Sequence, residues 1–201
     1  PRSAPKNPAF CLLDRPRRPA QSHGMSAPTA IASRTALPDD TRANLAARIR
    51  ARKPVLVMGI LNITPDSFSD GGKFIEPEVA LAHARRMIAE GADIIDIGAE
   101  STRPYNGMKP VTADDEMRRL EPILAPVIAL GTPVSIDTMK AEVADWAISQ
   151  GVAIANDVWG LQRDKDMAKV VARHGVPVVV MHNREAADAP DIVADIDAFL
   201  G

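Results

Sequence analysis

VLVMGILNITPDSFSDGG, Val55 to Gly72, changes character in mid-course. VLVMGIL is apolar or glycine without a break; Asn62 then opens into Ile, Thr, Pro, Asp, Ser, Phe, Ser, Asp and two glycines. An apolar run of this kind, closed by turn formers, reads as a strand buried on both faces. The polar run that follows is either an ordinary turn or a loop that holds something small and charged.

The same grammar recurs downstream: apolar run, polar loop, amphipathic helix, glycine, apolar run. A helix is expected from about Glu76, with Pro77 in its first turn, where proline is tolerated. Ala80, Ala84, Met87 and Ile88 fall on one face, and Gly91 caps the end. The second strand is ADIIDIGA, followed by a long loop from Glu100 to about Val111. The next helix opens with Asp114, Asp115 and Glu116, acids suited to the positive end of a helix dipole. Leu120, Leu124, Val127 and Ile128 form its stripe, and Pro122 and Pro126 predict a kink or a split. PVSID, a helix over about 141–150, VAIAND, a short helix over 166–174, PVVVMH and a helical element over about 191–200 complete the series. Apolar strands alternating with helices indicate an α/β fold with a parallel sheet covered by helices. Two architectures compete, an open doubly wound sheet and a (β/α)8 TIM barrel. The first strand lacks a following G-x-G-x-x-G, which weakens dinucleotide binding. Gly71-Gly72-Lys73 is not a phosphate loop, because Phe74 stands where Ser or Thr is required.

Composition narrows the classes further. The 201 residues are 46% hydrophobic and 25% charged, the profile of about one globular domain. A net charge of −2 implies no nucleic-acid or membrane-surface partner. No apolar run approaches the ~18 residues of a membrane span. Cys11 is the single cysteine, so an internal disulfide and a multi-thiolate zinc site are excluded, and a reducing cytoplasm fits. Aromatics, at 3%, are too few for a stacking platform for single-stranded nucleic acid. The first 34 residues carry six basic side chains, one acid and six prolines, as a targeting peptide or a flexible tail would. Residue 1 is Pro, and Met25 is a plausible start. Residues 1–45 are therefore expected to be a flexible or non-native extension, and 46–201 the barrel segment.

In either architecture ligands gather at the carboxyl ends of the strands. The polar residues there are Asn62, Asp96, Asp137, Asn156 with Asp157, and His182 with Asn183. Strand-end polar groups are often only caps, so Asp96 and Asp157 are set aside and His182 reads as structural. His23, His83, His174 and His182 share no metal-ligand spacing. Asn62, Asp137 and Asn156 stand out, because amide and carboxylate end strands that follow one another. That set suits a flat heterocycle with mixed donors and acceptors. Asn62 also offers a neutral oxygen to a hard cation such as Mg2+.

GILNITPDSFSDGG followed by GADIIDIGAESTRP resembles the two signature segments of the dihydropteroate synthase family. The likeness continues through VSIDT, IANDV and VVVMH, from about Pro54 to the end. It implies a pterin-binding (β/α)8 barrel, usually dimeric and using Mg2+. The implied reaction joins 6-hydroxymethyl-7,8-dihydropterin diphosphate to p-aminobenzoate and releases diphosphate. By resemblance, Asn62 stands beside the metal, Thr102 contacts the diphosphate-bearing substrate, and Asp137 and Asn156 bind the pterin ring. Met181 would pack near that ring, and Phe68 and Arg103 near the p-aminobenzoate pocket. One departure is Gly98-Ala99-Glu100-Ser101, where the family often has two glycines. A larger one is that about five βα units are read, so the barrel is expected to be incomplete. The family's later aspartate, glycine-rich lysine stretch and final Arg and His have no counterpart here. Two alternatives follow: a catalytically incompetent pterin-binding fragment, and a corrinoid-linked methyltetrahydrofolate methyltransferase. The TPDSFSDGG stretch argues against the latter, since methyl transfer involves no diphosphate.

Overall fold

The computed structural model describes residues 39–51, 55–64, 76–101, 110–183 and 191–201. Among them the chain alternates strand and helix: α1 (Asp39–Ala51), β1 (Met58–Asn62), α2 (Pro77–Ala89), β2 (Ile94–Gly98), α3 (Ala113–Ile128) and β3 (Val134–Asp137). Then come α4 (Ala141–Ser149), β4 (Ile154–Asp157), α5 (Met167–His174), β5 (Val178–Val180) and α6 (Ile192–Leu200). All five strands pair in parallel, in the order β1-β2-β3-β4-β5. That order decides between the two architectures. A doubly wound sheet reverses its strand order at a switch point, whereas this sheet adds each new strand to the same edge, as a (β/α)8 barrel does.

Pleat alternation divides the sheet into two faces. Leu61, Ile97, Ile136, Ala155 and Val178 lie in one register row. They pack against the helices in the main core, with Ala80 and Ala84 of α2, Leu120 and Leu124 of α3, Val143 and Ala147 of α4, and Met167 of α5. Ile60, Asp96, Ser135 and Ile154 form the neighbouring row and face the other way.

Most helix ends follow from local chemistry. Pro77 starts α2, and the Thr112 hydroxyl caps α3 by accepting from the Asp115 amide at 3.1 Å. Asp191 does the same for α6, accepting from Val193 and Ala194 at 3.1 Å each. Gly91 after α2 and Gly175 after α5 take φ of +110° and +62°, which a side chain would disfavour. Of the kink or split expected at Pro122 and Pro126, the split is corrected: α3 runs unbroken from Ala113 to Ile128. Both prolines lie on the exposed side of the helix. There the lost backbone bonds fall toward solvent, while Leu120, Ile123, Leu124, Val127 and Ile128 hold the opposite stripe in the core.

Composition gave no sign of α1, and the helix crosses residue 45. Leu45 is 2% exposed and clusters with Ile94 and Ile154, with Leu56 and Met58 packed against them. Arg48 donates to the Asp93 carboxylate at 2.9 Å, and the Val57 amide takes the other oxygen at 3.0 Å. α1 thus covers the amino ends of the strands on the face turned away from the outer helices. No helix among the described residues is long and apolar enough to cross a membrane.

Candidate functional site

The strand-end residues fall into one line. Asn62 is registered with Gly98, Gly98 with Asp137, Asp137 with Asn156, and Asn156 with Val179. This row runs across the carboxyl ends of all five strands, on the face away from the helices. Asn62, at the β1 edge, is exposed; Asp137 and Asn156 are half-buried. Met181 lies one residue past β5, is 47% exposed, and donates its amide to the Asp157 carbonyl at 3.3 Å. By alternation it shares the face of Val179. Phe68, Thr102 and Arg103 lie outside the described residues.

The two aspartates set aside in the sequence turn out to differ. Asp157 is fully buried and spends both oxygens on backbone, accepting from Trp159 at 2.8 Å and Leu161 at 2.9 Å. It is a turn builder. Asp96 is 4% exposed and sits one layer below the row. Its Oδ2 accepts from the Asn156 side-chain amide at 3.0 Å, while its Oδ1 is buried without a partner among the described residues. Asp137 likewise keeps a buried Oδ1 without a partner there. Alternation could have revealed Asp96: it is two residues before Gly98, hence on the same face.

Gly98 makes room for Asp137. A methyl group at position 98 would stand 3.1 Å from the Asp137 Oδ2 and 3.3 Å from its Cβ. Burial pushes the Asp137 carboxyl up to about 7, and the negative charges of Asp96, Glu116, Asp157 and Glu100 add to the effect. Burial also raises Asp96, with the Ser135 hydroxyl and the Asn156 amide pulling the other way. Two acidic groups held this way, with acceptor oxygens unpartnered among the described residues, are costly to keep unless a ligand brings donors.

Beside the row lies a charged bridge the sequence reading did not find. Lys140, just before α4, pairs with Glu100 after β2 and with the fully buried Glu116 of α3, the latter at 2.5 Å. Burial works against the Lys140 charge, but the two carboxylates outweigh it and hold its ammonium above the ordinary range. Glu100 also accepts from the Val111 amide at 3.0 Å, and Arg119 donates to the Ala99 carbonyl at 2.7 Å. His182 pairs with Asp195 of α6 and meets the Phe199 ring edge-on at 5.3 Å. Among the described residues no group of three or more His, Cys, Asp or Glu stands ready to hold a metal ion.

Comparison with known proteins agrees with this geometry. The family model described as pterin binding enzyme matches residues 58–200. The chain belongs to the pterin-binding enzyme family. Within that family it is 51% identical over 146 residues to the dihydropteroate synthase of Bacillus subtilis (strain 168), covering 72% of this chain and 50% of that protein. A crystal structure of the Clostridium difficile dihydropteroate synthase, in the presence of pteroic acid, superposes with a TM-score of 0.68 at 47% identity. That match covers 73% of this chain and 56% of the other. The Thermus thermophilus dihydropteroate synthase in complex with 6HMPPP gives 0.61 at 47% identity, over 74% of this chain and 52% of that one. The chain spans about half the length of the curated family members it matches.

Proposed function

We propose that the chain carries the pterin-binding part of a dihydropteroate synthase site. The observation that carries this reading is the Asp96–Asp137–Asn156 group, a buried and a half-buried carboxylate, each with one buried oxygen unpartnered among the described residues, beside an amide. A pterin ring offers adjacent N–H and NH2 donors, which the Asp137 carboxylate would accept, and ring acceptors that an amide N–H would meet. The fit of the family's named ligands, pteroic acid and 6HMPPP, to this class of ring supports the same reading.

In the reaction, the pterin methylene C–O bond breaks and diphosphate departs with the electron pair. The nitrogen lone pair of p-aminobenzoate forms the new C–N bond, and the resulting ammonium loses a proton. Asp137 and Asn156 would orient the ring so that its methylene points to the incoming amine, the positioning that makes such a step effectively unimolecular. Accepting from ring N–H groups, the Asp137 carboxylate would also stabilise positive charge developing on the ring. Asn62 fits one Mg2+ ligand: it is exposed at the rim, in the same row as Asp137, and offers one neutral oxygen to an ion that keeps most of its waters. Bound there with the diphosphate, Mg2+ would neutralise charge on the leaving group. The cytoplasm and a homodimer are the setting we assign to this activity.

The test is calorimetry of the chain with 6-hydroxymethylpterin, and an assay of pterin diphosphate with p-aminobenzoate. Saturable ring binding is expected; its absence overturns the reading. Asn62→Ala is expected to move the Mg2+ dependence of diphosphate-ester binding several-fold to higher concentration, and an unchanged Mg2+ titration would remove Asn62 from that role.

A further inference from the structure

The hydrogen bond between Asn156 and Asp96 joins β4 to β2 across the intervening β3. It links side chains, not backbone, and it lies on the face of the sheet that carries the candidate site. A carboxamide has two ends of nearly equal size and opposite sense. Left free, Asn156 could present either end to a ligand. A carboxylate 3.0 Å away accepts only from N–H, so Nδ2 is held toward Asp96 and the carbonyl oxygen with one remaining N–H is left for the guest. The sequence neighbour that could be mistaken for Asp96 in role, Asp157, has both oxygens occupied by its own turn and exerts no such hold.

We propose that Asp96 is a positioning residue of the ring site: by taking the Nδ2–H of Asn156 it fixes which end of that amide meets a bound heterocycle. The assignment rests on the pterin reading above and deepens it, since it explains how one strand-end amide acquires a defined polarity. Asp96 itself sits a layer below the row and acts through Asn156. Losing the anchor would force the ligand to order the amide on binding, at the cost of one immobilised side chain.

The experiment is a double-mutant cycle in the full 201-residue chain, with 6-hydroxymethylpterin as the probe. Dissociation constants and melting temperatures are measured for the wild type, Asp96→Asn, Asn156→Ala and the double variant. An amide at 96 can meet either end of Asn156, so orientation is no longer dictated. Asp96→Asn is expected to weaken binding about threefold to tenfold while its melting temperature stays level or rises, because a buried carboxylate has been neutralised. In the Asn156→Ala background the same change is expected to have no further effect. Unchanged affinity in Asp96→Asn overturns the assignment, and so do additive losses in the double variant, which a merely structural role would give. Should Asp96→Asn lose its circular dichroism, Asp96→Ser, which removes the carboxylate without adding bulk, is put through the same cycle and judged the same way. A wild-type chain that does not bind the pterin overturns the proposed function itself, an outcome visible before any substitution is made.

Discussion

Asp137 carries a charge the fold would be more stable without. Its carboxyl titrates near 7 in the folded chain against an ordinary 3.8, so between those values the folded state holds a proton that the unfolded state has released. Stability contributed by this group therefore falls as pH rises from about 4 to about 7 and stays low above that. Asp137→Asn should raise the melting temperature by about 5 °C at pH 8 and change it little at pH 4, as read by thermal melts at the two pH values. The same substitution should weaken pterin binding by about tenfold to a hundredfold at pH 8, because a charge-assisted bond becomes a neutral one; equal affinity by calorimetry would contradict the role. Gly98 gives a second handle on the same carboxylate. With a Cβ 3.1 Å from Oδ2, Gly98→Ala should push the Asp137 side chain aside. A loss of ring affinity of about tenfold, with a melting temperature shifted by no more than about 4 °C, is the expected calorimetric and thermal result.

Between elements, the Lys140 bridge ties β2, α3 and the start of α4 together. Glu116 is 0% exposed, one of its oxygens has no partner among the described residues, and the other is paired with Lys140. Removing the cation alone strands that carboxylate. Lys140→Met should cost about 3 kcal/mol in urea unfolding, and adding Glu116→Gln should recover part of the loss. A cost of the double variant equal to the sum of the single ones would show the two groups to be independent. The continuity of α3 belongs to this scale too. Pro122 and Pro126 are four apart, so both fall on the solvent side, and the buried stripe opposite them outweighs the missing bonds.

For the whole molecule, the two ends of the strands have different tasks. The carboxyl ends carry the polar row, while α1 closes the amino ends through Leu45. Leu45→Ala should cost about 2–4 kcal/mol in chemical denaturation and leave pterin affinity unchanged, because the site lies at the other end of the sheet. A parallel loss of affinity would show that the ends are coupled. The sequence by itself determined the alternation of elements, the parallel sheet and the placing of Asn62, Asp137 and Asn156 at strand ends. Those follow from one-dimensional signals: apolar runs, capping glycines, and a pleat of period two that puts residues of equal parity on one face. Tertiary structure alone decided that Asp96 bonds to the Asn156 amide while Asp157 builds a turn, that His182 faces α6, that Lys140 answers Glu116, and that a helix over 39–51 docks beneath the strands. Each of those depends on which distant group fills a particular hydrogen bond or cavity, and no local pattern encodes a partner tens of residues away.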